Sequence, residues 1–437
     1  MNNRRLLAGL FCIALPSAGT CLHAQSVITL EAIYRIAETH SSQMRTSYAA
    51  EQETDRDIEV ARTQRLPEIS ADLSLSFIGD GFTTKRNFSD YQNAPIPHFG
   101  NSLGISVTQP VYTGGAISKS IELSQLKSTA SRFATDLCRN NLRMALTGWY
   151  LDIYKYRNLR SVVESNLDAA RRVLTDMHAR HQQGTVLLND ITRYELLVSN
   201  LEFEIVRIDN TLKILNDNLV TTAGLEAGSI VIPDTMMLAQ AMETADLQTL
   251  RREADESSPR LRLARADVDI SLKAEELARA CRRPTIGLQA GWSLNGPILT
   301  EVPPINRNLS YWYVGVGVRY SLSSLFRNDK TEARSHAATI TAQSRLESTS
   351  DYVSLAVSDA HIRWLESQVA LNTRLKGVEL AMRNYKTVST RYDAGMALIT
   401  DMLDAASARL EAEQQLVNAR IDVIYNYYRL KFTTGKI

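Results

Sequence analysis

The chain is poor in whatever ends a helix and in whatever marks a catalyst. Eleven prolines serve 437 residues, and with 44% hydrophobic and 22% charged residues this excludes a disordered chain and favours long helices. The net charge is +1, or −1 without Arg4 and Arg5 (47 basic against 48 acidic residues). A neutral chain with no basic block speaks against nucleic acid as a partner. No run of 18 apolar residues occurs beyond the first residues, so no transmembrane helix is expected and any membrane role must use strands. Phosphate-binding glycine loops, His-Glu-x-x-His patterns, paired cysteine motifs and nucleophile elbows are all missing. The expectation is therefore no enzyme, no cofactor and no metal. Of four cysteines, Cys138 lies far along a helix from the strand end beside which Cys281 sits, so the two are expected as separate thiols.

What is present is a repetition. The pairs Gly104 and Gly315, Gly184 and Gly395, Asp190 and Asp401, and Gly224 and Gly435 are all 211 residues apart. Upstream, Ser41-Ser42 matches Ser258-Pro259 and Pro67 matches Pro284, both 217 apart, so only the segment between proline and glycine changed length. A constant offset over such a span means internal duplication. The expected plan is a first repeat over 25–224, a linker packed around the waist over 225–250 and a second repeat over 251–437. Residues 1–24, with Arg4-Arg5 before an apolar stretch and Leu22-His23-Ala24 before Gln25, read as a secretory signal peptide. Cys21 leaves a lipoprotein as the alternative, which the preceding Thr20 disfavours.

In each repeat the period changes from helix to strand and back. Residues 28–65 contain neither Gly nor Pro and predict one helix. Ile69, Ala71, Leu73, Leu75 and Phe77 then alternate with polar residues, as do Leu103, Ile105 and Val107. Ile286 to Leu294 and Trp312 to Tyr320 repeat the pattern, giving four strands in two hairpins with irregular loops over 78–102 and 295–309. Alternation alone also fits a soluble half-buried sheet. A length of about nine or ten residues and aromatics near the ends (Trp292, Tyr311, Trp312, Tyr320) favour a bilayer-crossing strand. Four strands do not close a barrel, and lipid tolerates no open edge, so several copies must pool them.

After QPVYTGG (109–115), residues 116–183 predict a helix of roughly 100 Å. Leu201, Ile205, Ile208, Leu212, Leu215 and Leu219 follow coiled-coil spacing on the returning helix. On the last helix, Leu403, Leu410, Val417 and Ile424 form one seven-residue stripe and Ala405, Ala412 and Ala419 another. Two stripes suit a helix with a neighbour on either side, in a closed ring or equally in an antiparallel bundle. His178 and His181 make at most half a metal site. The aromatics Trp149, Tyr150, Tyr154 and Tyr156 are expected to pack helices.

The two matched turns hold the candidate functional residues. Arg180-His181-Gln182-Gln183-Gly184 with Asp190, and Arg391-Tyr392-Asp393-Ala394-Gly395 with Asp401, each end a helix at glycine and restart one near aspartate. Capping explains both glycines and Asp401. It does not reach Asp404, one turn further on the face of Asp401.

With these residues the chain resembles the TolC-type outer-membrane efflux channels. The likeness is carried by Pro67 and Pro284, by QPVYTGG and by the turn RYDAGMALITDMLDA (391–405), and it spans nearly the whole mature sequence. The resemblance implies a mainly α fold with a small β part: a trimer with a 12-stranded transmembrane β-barrel in the outer membrane and a periplasmic α-barrel of coiled-coil helices. It further implies an exit duct serving a periplasmic adaptor and an inner-membrane pump, in efflux or type I secretion. The family's entrance is narrowed at positions matching Asp190, Tyr392, Asp401 and Asp404, with Gly184 and Gly395 at the periplasmic tips. At Ala397 the chain departs from a pattern in which an arginine helps to hold the entrance shut, so tight closure does not carry over. A coiled-coil adhesin or structural surface protein and an independent diffusion porin are the rival readings.

Overall fold

The computed structural model describes residues 26–234, 244–301 and 303–437, so the expected signal peptide lies outside the described residues. Two very long helices organise the chain: α3 (Ala116–Gln182) and α7 (Ser324–Asp393), the latter about 105 Å at 1.5 Å per residue. No single amphipathic stripe runs their length; instead each takes different partners above and below a waist.

The upper part of α3 runs beside α2 (Ser42–Thr63), where the Ser128 hydroxyl donates to Asp55 at 2.6 Å. The lower part runs beside α4 (Leu188–Ala223), through Arg160–Asp209 and Arg171–Glu202, both at 2.7 Å. Along α7 the same roles fall to α6 (Pro259–Ala280), with Arg279–Glu332 at 2.9 Å, and to α8 (Ile399–Thr433), with Arg429–Asp359 at 2.9 Å. Both also reach α3, through Lys119–Glu276 at 2.8 Å and Asn166–Glu413 at 2.7 Å. The helices therefore stand in four columns: α2 over α4, then α3, then α6 over α8, then α7. On α8, Ala405 and Ala419 are buried, and Leu403 and Leu410 pack against the lower core.

Four long strands continue the columns: β2 (Glu68–Phe77), β5 (Phe99–Tyr112), β7 (Thr285–Gly296) and β8 (Leu309–Arg319). Their order in the antiparallel sheet is β2-β5-β7-β8, the order of the helices they feed. Residues opposite each other share a face. One face carries rows such as Ala71, Ile105, Trp292, Trp312 and Ile69, Val107, Ala290, Val314. The other carries Ser70, Ser106, Gly291, Tyr313 and Asp72, Gly104, Ser293, Tyr311. No described residue covers the apolar face at the sheet edges: Leu73 is 69% and Val316 69% exposed.

Two expectations need correction, on the helix over 28–65 and on the loop over 78–102, and the linker gains detail. The helix over 28–65 is broken at Ser41, whose backbone turns extended (ψ 136°) between α1 (Leu30–His40) and α2. The reason is stacking: Gly224, ending α4 at φ +72°, sits so close that a Cβ there would lie 2.7 Å from the His40 carbonyl oxygen. The second repeat breaks alike, with Gly435 against the Ser257 carbonyl where α5 (Leu247–Ser257) gives way to α6. The loop over 78–102 is not irregular throughout: β3 (Gly81–Thr83) and β4 (Gln92–Ala94) form a small hairpin in it, and β5 already begins at Phe99. The linker holds β6 (Val231–Pro233), which pairs in parallel with β1 (Ser26–Ile28), and the start of α5. Buried Tyr150 ties that pair to α3, its hydroxyl donating to Ile28 O at 2.9 Å and accepting from Asp234 N–H at 2.6 Å.

Candidate constriction at the helix turns

At the far ends of α3 and α7 from the sheet, the two repeats build one turn twice. Thr185 N–H donates to Arg180 O at 3.0 Å and Gly184 N–H to His181 O at 2.8 Å. In the second copy Met396 N–H reaches Arg391 O at 2.7 Å and Gly395 N–H reaches Tyr392 O at 3.0 Å. This double bond pattern closes the helix end over a left-handed residue, with Gly184 at φ +75° and Gly395 at φ +71°. Only glycine takes that conformation without cost.

The aspartates differ in what they do. Asp401 stands in the first turn of α8 and its carboxylate accepts the Leu398 N–H at 3.2 Å, so it secures the start of the helix. Asp404 lies one turn further, exposed and without a hydrogen bond or ion pair among the described residues. Asp190, in the first turn of α4, is half-buried. The Tyr392 hydroxyl is pushed up from its ordinary value because packing withdraws it from water. The Arg180 guanidinium works against that shift, and the carboxylates of Asp190, Asp176 and Asp393 add to it. Asp190 thus lies within electrostatic reach of Tyr392, and Asp401 and Asp404 are both exposed on α8.

Arg180, in the sequence merely one residue of the first turn, joins the two turns. It pairs with Asp176 at 2.6 Å and Asp393 at 3.4 Å, and its guanidinium stands 5.9 Å from the centre of the Tyr392 ring. A signal existed, since both long helices carry an arginine four residues before the terminal glycine. His178 and His181 do not converge: the first faces Glu195 at 3.6 Å and the second contacts Val186 O at 2.7 Å. Cys138 and Cys281 are separate free thiols.

A family model described as outer membrane efflux protein matches residues 250–436. Over 421 residues the chain is 21% identical to the outer membrane protein TolC of Vibrio cholerae, covering 96% of this chain and 93% of that protein. It is also 21% identical over 404 residues to the pyoverdine export outer membrane protein OpmQ of Pseudomonas aeruginosa, covering 90% and 82%. Together these matches indicate a TolC-type outer-membrane factor. Its fold agrees: the crystal structure of the outer membrane protein VceC from Vibrio cholerae matches with a TM-score of 0.74 across 93% of this chain and 96% of that one, at 15% identity. The relatives are named outer membrane proteins, and the outer membrane is accordingly where this outer-membrane factor resides.

Proposed function

We propose that three copies of this outer-membrane factor close into one exit duct that passively conducts small toxic molecules or polypeptides out of the cell. The observation that carries the reading is the double open edge. Four strands with an apolar and a polar face end in unpaired β2 and β8, and four helix columns end in unpartnered α2/α4 and α7. Unpaired strand edges are not stable in lipid. Exposed apolar side chains also line the helix edges, Leu196 and Phe203 on α4 and Leu355, Ile362 and Val369 on α7. Edges of different composition on one chain make a head-to-tail contact, which closes as a ring. A ring of three gives twelve strands and twelve helix columns, with the polar sheet face lining a watery lumen. Neither an independent porin, whose barrel would close within one chain, nor an adhesin, which has no need of strand hairpins, accounts for both edges at once.

In this reading residues 1–24 direct export, and the repeats over 25–224 and 251–437, joined through 225–250, each supply two of the four strands that a copy gives to the ring. The tips point into the periplasm, where Asp401 and Asp404 from three chains make acidic rings at the entrance, with Tyr392 and Asp190 holding the neighbouring turns. The same tips leave Leu187, Leu188, Met396 and Leu398 more than 60% exposed. Four aliphatic side chains on two short turns suit a periplasmic adaptor that delivers cargo from an inner-membrane pump. Native mass spectrometry of the detergent-extracted protein is expected to give a trimer. A well-folded monomer would overturn the duct.

A further inference from the structure

The internal duplication specifies how the open edges meet. Glu68 pairs with Thr108, and the residues 217 and 211 positions further on, Thr285 and Arg319, pair with each other. Hairpin β7–β8 is therefore hairpin β2–β5 over again. Within the chain the second strand of the first hairpin, β5, lies against the first strand of the second, β7, with Thr108 opposite Gln289. A ring places β8 against β2 of the neighbouring copy in the same sense. Carried over by the same two offsets, that register sets Arg319 opposite Asp72 of the neighbouring copy.

The helices below obey the same rule. Lys119 on α3 pairs with Glu276 on α6 at 2.8 Å, and its image is Lys330 on α7 with Glu59 on the neighbouring α2. Asp136 on α3 pairs with Arg262 on α6 at 3.7 Å, and its image is Glu347 with Arg45. We propose that neighbouring copies lock together through three ion pairs at this register: Arg319–Asp72, Lys330–Glu59 and Glu347–Arg45. The inference rests on the ring assembly proposed above and adds its register.

Two observations independent of the offsets support it. All six side chains are exposed on the single chain, and five have no ion-pair partner among the described residues; the sixth, Glu59, is held only by Arg56 one helical turn away, at 2.8 Å, as Glu276 is held by Lys273. The register also sets Leu73 opposite Val318 and Leu75 opposite Val316, apolar on apolar. A slip of one residue would set Asp72 opposite Val318 and turn every side chain to the wrong face.

Cysteine crosslinking tests the strand register in a variant without the native thiols. Asp72→Cys with Arg319→Cys is expected to give a covalent trimer under oxidation. Either single variant, and Asp72→Cys with Gly317→Cys, is expected to stay monomeric in denaturing gels. A second arm keeps the native cysteines: Arg45→Glu or Glu347→Arg alone should lower the temperature at which the trimer dissociates, and the double exchange should restore it. A trimer by native mass spectrometry that crosslinks only through the shifted pair, or shows no restoration, overturns the register and leaves the duct standing. A monomer in the unaltered protein removes the duct itself.

Discussion

Gly184 and Gly224 share a left-handed backbone, at φ +75° and +72°, yet their surroundings differ. Around a Cβ on Gly184 there is open space within 4 Å, so Gly184→Ala meets only the conformational penalty, about 1–2 kcal/mol for an L-residue in that region. A Cβ on Gly224 lies 2.7 Å from the His40 carbonyl oxygen and 2.8 Å from its carbon, which are backbone atoms fixed by the stacking of α4 on α1. Gly224→Ala should therefore lower the thermal midpoint of helix loss clearly more than Gly184→Ala, with circular dichroism at 222 nm in detergent as the readout. Equal losses would mean that the α4–α1 junction yields freely. Both glycines were legible as landmarks because their matches recur at one offset. The close approach at Gly224 was not, since it depends on a break at Ser41 that no Gly or Pro announces in the first repeat; Pro259, the counterpart of Ser42, announces it in the second.

At the scale of elements, alternation and helical spacing made the strands and long helices readable because each rests on local periodicity. The β3–β4 hairpin escaped because three-residue strands carry too little periodicity, and the β1–β6 pair because it joins residues about 200 positions apart. Arg180 escaped for a related reason: its partner Asp393 belongs to the other repeat, and only the fold brings the turns together. Of the turn aspartates, Asp401 was legible as a cap, whereas Asp404 was legible only as a position. Asp401 caps α8, which explains it without any gate, whereas Asp404 has no structural partner among the described residues. Carboxylate rings at a constriction favour cations. Recording in planar bilayers should thus show that Asp401→Asn with Asp404→Asn weakens cation selectivity, while the helix persists because asparagine also accepts a hydrogen bond near a helix start. Selectivity and conductance like those of the unaltered protein would leave Asp401 a cap and Asp404 a surface residue.

For the whole molecule, the decisive feature is that sheet and helices are one continuous set of four columns with opposite surface chemistry at the two ends. The sheet end has a wide apolar face, bounded on the side away from the helices by the polar loops around Asn93 and Asn306. The other end, about 100 Å away along α3, has short turns mixing charge with exposed aliphatics. An apolar band about one strand long spans a single bilayer, so the loops and the tips must lie on opposite sides of it. Helices of this length need a compartment deep enough to hold them, which the space between two membranes provides and the cell exterior does not require. The loops are therefore expected outside the cell and the tips in the periplasm. In a variant without native thiols, Asn93→Cys and Asn306→Cys, both at exposed positions, should react with an impermeant maleimide on intact cells. Gln183→Cys at the tip should react only after the outer membrane is breached. Labelling of Gln183→Cys on intact cells, with both loops silent, would reverse the orientation and place the acidic turns at the exit.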